Sequence, residues 1–181
     1  MNREFDLIIY GATGFTGKLA VEYIDNNYSD LKWAIAGRNY QKLNEISNST
    51  NSKPPIFIAS SDDRNSLAEV VKKTKVIASL AGPFSKYSNE LVNQCYENNT
   101  NYVDITGENI WVRDLIDRYH KGCEDKGIFI IPSCGYDSIP SDIGSFYCHM
   151  MLNENIDHID GYHTGKGGVS GGTIESAFNM K

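Results

Sequence analysis

No stretch of this 181-residue chain approaches the ~18 consecutive apolar residues that a membrane-spanning helix requires. Positive charge is also in short supply, with 17 Lys and Arg against 23 Asp and Glu. The resulting net charge of −6 argues against a surface built for nucleic acid. Paired cysteines are missing as well. Cys95, Cys123, Cys134 and Cys148 form no C-x-x-C motif, and His120 with Cys123 finds no second pair at ligand spacing. These residues read as reduced, packed thiols of a cytoplasmic protein, and no metal site is expected. MNREFD leads straight into a strand, so no signal peptide is expected. The sequons at Asn48 and Asn98 are then without consequence.

What the chain does have is apolar material in short pieces. Hydrophobic residues make up 40% of it, enough for one full core and the start of a second domain. Strands are expected at 6–10, 32–36, 56–59, 75–80, 101–105 and 128–131. Helices are expected at 16–26, 40–46, 66–73, 88–98, 110–126 and 142–152. Leu19, Ala20 and Ile24 mark the inner face of the first helix. Trp111, Leu115, Tyr119, Ile116 and Cys123 mark that of the helix at 110–126. The Asn-rich stretch 44–52 reads as a polar surface loop. This alternation predicts an α/β fold with a doubly wound parallel sheet of the Rossmann type over 1–153. Residues 154–181 are expected to begin a second, incomplete α+β domain. There 156–164 alternates like a strand, and a helix starts near Ile174 with Ala177 and Phe178. A domain broken off at that point implies a truncated chain.

Three glycines at intervals of three, Gly11, Gly14 and Gly17, occupy the first strand-to-helix turn. Glycine permits positive φ and lets another group approach the backbone closely. A strand, such a turn and a helix start together form the corner that holds a dinucleotide's pyrophosphate. Thr13 and Thr16 offer hydroxyls either to phosphate or to the helix start. A tight βα turn without a ligand is the simpler alternative. An NAD site usually places a carboxylate about 20 residues further on. Here that place reads Ala36-Gly37-Arg38-Asn39. The Arg38 guanidinium suits a 2′-phosphate, so NADP(H) is expected in preference to NAD(H). Asp62 is placed either to reach the adenine amino group or to form a turn. Gly82 and Pro83, in the turn after the fourth strand, are expected along the cofactor. After the sixth strand, Tyr136, Asp137 and Ser138 are weak catalytic candidates. An Asx-turn at Asp137 and helix capping by Ser141 or Asp142 explain that segment equally well.

Other motifs fail on context. Gly168 to Gly172 matches G-x-S-x-G, but no His follows Ser170 and no long apolar strand feeds it. Tyr28 with Lys32 and Tyr162 with Lys166 have Y-x-x-x-K spacing, yet neither pair falls on an expected helix. The run from Ser170 to Thr173 is either a second anion-holding helix start or a flexible connector.

Taken in order, YGATGFTG, WAIAGRN, LAGPF, YVDITGE, IIPSCGYDSIPSDIG and SGGTIESA resemble the saccharopine dehydrogenase-like oxidoreductases, a group that includes the bacterial trans-acting enoyl reductases. The resemblance covers nearly the whole chain. It implies an NADP(H)-linked oxidoreductase, members about twice this length, and a lipid connection in some of them. It implies cofactor contacts at Gly11, Thr13, Gly14, Phe15, Thr16, Gly17 and Arg38, beside Asn39. It also implies a place near the nicotinamide for the loop 134–138, with Cys134 and Gly135. The resulting expectation is a reductase acting on an activated C=C or C=N bond of a lipid-like small molecule. Association with a membrane or lipid droplet and a homodimer both remain open. The alternative is a non-catalytic NADP(H)-binding module that senses redox state or scaffolds a lipid surface.

Overall fold

The computed structural model describes residues 3–152, 156–164, 166–168, 171 and 174. Six strands form one parallel sheet: β1 (Phe5–Tyr10), β2 (Trp33–Gly37), β3 (Ile56–Ile58), β4 (Thr74–Ser79), β5 (Asn101–Asp104) and β6 (Ile130–Ile131). Their spatial order is β3-β2-β1-β4-β5-β6. The order reverses between β1 and β4, where a doubly wound sheet opens its ligand crevice. The helices are α1 (Phe15–Asn27), α2 (Tyr40–Ser49), α3 (Arg64–Val71), α4 (Phe84–Tyr87), α5 (Asn89–Glu97), α6 (Asn109–Lys126) and α7 (Ile139–Leu152).

The pleat sorts β1 and β2 into two cores, because successive side chains point to opposite faces. Ile8, Tyr10, Ala34 and Ala36 join Leu67, Val71, Leu91 and Trp111 beneath α3, α5 and α6. Ile9, Trp33 and Ile35 join Val21, Leu43 and Ile46 beneath α1 and α2. Both faces of the central strands are therefore apolar, as a covered parallel sheet demands.

Several local expectations need correction. The stretch 44–52 is not all loop: α2 continues to Ser49, burying Leu43, Ile46 and Ser47. Ser47 Oγ donates to the Pro54 carbonyl at 2.9 Å, so the polar side chain is satisfied inside the structure. Leu19 is 52% exposed, and Gly17 and Val21 take the inner positions of α1. Ile116 likewise faces outward on α6. A four-residue helix, α4, precedes α5, and α7 begins at Ile139, three residues earlier than read from the sequence. The described residues of 156–164 form no strand, since nothing among the described residues pairs with them. The boundary at 153/154 and most of the Ser170 to Thr173 run lie outside the described residues, as do Ala177 and Phe178.

Candidate dinucleotide cleft

The three glycines of the first turn do three different jobs. Gly11 has φ +83°, and a Cβ there would lie 2.9 Å from the Ala81 backbone nitrogen. Gly17 presses α1 onto the turn, where a Cβ would meet the Gly11 carbonyl oxygen at 2.3 Å. Gly14 alone has room: its φ is −72°, and a Cβ would stand 3.4 Å from the Gly11 oxygen. Gly14 is also the N-cap of α1 and makes no side-chain hydrogen bond there. The leading amides of the helix thus face an open cradle that a side chain at Gly14 would fill.

A cleft of about 300 Å³ runs over this turn. Gly11, Thr13, Gly14, Phe15, Thr16, Arg38 and Gly82 line it, together with Tyr10, Gly37, Ser61 and Tyr87. Seven residues expected from the sequence are therefore brought together. Gly17 supports the cleft from beneath. Asn39 accepts from the Lys42 amide at 3.0 Å as the N-cap of α2. Pro83 is buried at the N-cap of α4, where its carbonyl accepts from the Tyr87 amide at 3.0 Å. Asp62 accepts from the Ser60 hydroxyl, which together with the nearby Arg38 charge holds its carboxyl below the usual range. Burial pushes the Tyr10 phenol up to about 12, against the pull of Arg38.

The loop after β6 is held from its backbone. The Cys134 amide donates to the Asp104 carbonyl at 2.7 Å, and Cys134 Sγ donates to the Ile131 carbonyl at 3.3 Å. Burial raises the Cys134 thiol. Gly135 fits against Ile105, where a Cβ would stand 3.2 Å from the Ile105 Cβ. Tyr136 and Asp137 are exposed, and the Ser138 amide closes a turn onto the Gly135 carbonyl at 3.2 Å. None of these five residues lines the cleft. Among the described residues no group of His, Cys, Asp and Glu is arranged to hold a metal ion.

Sequence reasoning assigned no role to two buried carboxylates of the YVDITGE motif. Asp104 Oδ1 accepts from the amides of Thr106 (2.9 Å) and Ser133 (3.0 Å), and its Oδ2 accepts from the Tyr102 hydroxyl (2.8 Å). Glu108 accepts from the amides of Phe84 (2.7 Å) and Ser85 (3.0 Å). The available signal was Asp104 standing between Val103 and Ile105 at the end of an apolar strand; Glu108 offered none. Tyr10, Gly37 and Ser61 adjoin named residues, whereas Tyr87 depends on the overlooked α4.

Desolvation raises the Asp104 carboxyl above its ordinary 3.8 despite these donors. A raised folded value means that its stabilising contribution is complete below the unfolded value and is lost as pH rises through the folded one. Asp104→Asn keeps an Oδ1 acceptor for both amides and removes the titration. Urea midpoints measured upward from about pH 4 should fall for the native chain relative to the variant. Parallel pH profiles would contradict the assignment.

A crevice at the reversal of strand order, floored by a glycine turn at a helix start, defines a dinucleotide-binding α/β domain. Residues 7–131 match the family described as saccharopine dehydrogenase NADP binding domain, and the chain belongs to that family. The Mycobacterium tuberculosis protein Rv2449c is 36% identical over 186 residues, covering 98% of this chain and 44% of its own. A trans-acting enoyl reductase of the same organism is 37% identical over 156 residues, covering 84% of this chain and 37% of its own. A lipid droplet localized protein of Caenorhabditis elegans is 31% identical over 168 residues, covering 88% and 39%. The chain thus spans less than half the length of these curated relatives. Among solved structures, the apo saccharopine dehydrogenase (L-Glu forming) of Saccharomyces cerevisiae shares the fold, with TM-score 0.68 and 16% identity over 82% of this chain and 31% of that one. No helix among the described residues is long and apolar enough to cross a membrane.

Proposed function

We propose that this chain is the NADP(H)-holding part of a reductase that delivers hydride to an activated double bond of a lipid-like substrate. The observation that carries the cofactor half is the open cradle at Gly14 combined with Arg38 on the cleft wall, where the strand end offers no carboxylate. When bound, NADPH supplies the hydride. The residues of this chain bind and orient it. Gly11, Thr13, Gly14, Phe15 and Thr16 take the pyrophosphate at the start of α1, and Arg38 takes the 2′-phosphate. Gly82 borders the route toward the nicotinamide, with the loop 134–138 beyond. The substrate half is supported by relatives named for enoyl reduction and for lipid droplets. A place at a lipid surface draws on the relative named for lipid droplets.

A second reading, a non-catalytic NADP(H) module, draws on the exposure of Tyr136 and Asp137 and their position outside the cleft lining. Turnover assays on the gene product separate the two readings. NADPH absorbance should decay when α,β-unsaturated acyl thioesters are supplied and hold steady with their saturated counterparts. NADPH binding without turnover on any enoyl chain length would favour the module.

A further inference from the structure

The buried carboxylates Asp104, at the end of β5, and Glu108, four residues later at the start of α6, reach to opposite neighbours of β5: the segment after β4 and the loop after β6. Glu108 is 4% exposed and receives two amides from the start of α4, 23 and 24 residues away in sequence. Across Pro83, these amides follow Leu80, Ala81 and Gly82, which wall the cleft at the end of β4. Asp104 is 2% exposed and holds the loop after β6 through the Ser133 amide on its side chain and the Cys134 amide on its carbonyl. Tyr102 links the two sides: its hydroxyl donates to Asp104 and lies against those of Ser79 and Ser88.

A buried carboxylate is a costly way to fill space, because an apolar residue of like volume is often no less stabilising. Here Glu108 accepts from two amides of the segment after β4, and Asp104, besides Thr106 and Tyr102, accepts from the Ser133 amide of the loop after β6, so together they fix the separation between those two loops. Strand order places β4, β5 and β6 side by side. A dinucleotide anchored by Arg38 near β2 and by the glycine turn after β1 therefore extends its second half toward these loops.

We propose that Asp104 and Glu108 form a two-pronged clamp that sets the gap between the segments 80–85 and 132–138. They act as positioning residues for the nicotinamide half of the bound dinucleotide and touch neither half themselves. This rests on the NADP(H) reading above. Its signature is selective. Adenosine 2′,5′-bisphosphate carries only the half that Arg38 and the glycine turn recognise, whereas NADPH also needs the clamped segments.

Glu108→Gln presents an amide donor to one of two amide donors and so releases one strap. Titration of both nucleotides into the native chain and the variant is the test, with the thermal midpoint followed in parallel. The NADPH Kd should rise about tenfold or more, while that of adenosine 2′,5′-bisphosphate should stay within about twofold. Glu108→Asp, which keeps the charge and shortens the reach by one methylene, should show the same selectivity to a smaller extent. It serves as the test if the glutamine variant fails to fold. Equal weakening of both nucleotides would reduce the clamp to general stabilisation and overturn the proposal, as would unchanged affinity for both. A native chain that binds neither nucleotide would overturn the cofactor reading itself and the clamp's role with it.

Discussion

Gly14→Val is expected to keep its stability and lose NADPH, whereas Gly17→Ala is expected to lose a large part of its stability. The two positions lie three residues apart and look equivalent in the sequence. At Gly17 a methyl group would sit 2.3 Å from the Gly11 carbonyl oxygen and 2.8 Å from Ala12 backbone atoms. Backbone atoms in the first turn cannot swing aside as a side-chain tip can, so α1 must lift off β1. Overpacking of this kind costs about 3 kcal/mol or more, a large part of a domain's stability. At Gly14 the backbone is extended, and the nearest atom to an added Cβ is 3.4 Å away. Valine is tolerated there, but its branches fill the cradle over the helix amides. Loss of two charge-assisted contacts to phosphate weakens NADPH by about a hundredfold or more. Urea unfolding followed by circular dichroism checks the first outcome, and calorimetric titration checks the second. A stable Gly17→Ala would contradict the close packing of α1 on the turn, and a Gly14→Val that binds NADPH normally would remove the basis for assigning the turn to pyrophosphate.

Arg38→Ala should weaken NADPH and leave NADH almost unchanged. The guanidinium stands exposed at the end of β2, on the wall of the cleft. Only NADP(H) brings a phosphate to that end, and a well-formed charge-assisted contact is worth ~1.5–3 kcal/mol. The native chain should therefore prefer NADPH to NADH by about tenfold or more. Asp62 keeps its charge near Arg38, so the phosphate must displace part of an existing attraction, and the margin should lie toward the lower end. Rising salt should narrow it further, because an exposed ionic contact is screened. Fluorescence titrations of both cofactors against both proteins provide the check. A native preference for NADH, or equal weakening of both cofactors in the variant, would make Arg38 an ordinary surface arginine.

Sequence by itself determined the features whose physics is local. The alternation of apolar runs with amphipathic stretches set six strands in place, because each run is bounded by its own turn residues. The glycine turn and Arg38 were legible as neighbours for a related reason: each follows the end of its own strand, and adjacent parallel strands bring those ends to one cleft. Tertiary packing decided the rest. It chose the inner face of α1, since Gly17 lies against Gly11 and turns Leu19 outward. It extended α2 through an Asn-rich run because Ser47 found the Pro54 carbonyl inside the structure. It left 156–164 without a strand, because alternation becomes a strand only where a neighbouring strand supplies hydrogen bonds. It also gave Asp104 and Glu108 their partners, on loops 23 to 29 residues away. No spacing rule reaches that far: a buried carboxylate is defined by the amides that surround it, and only the folded chain brings them there.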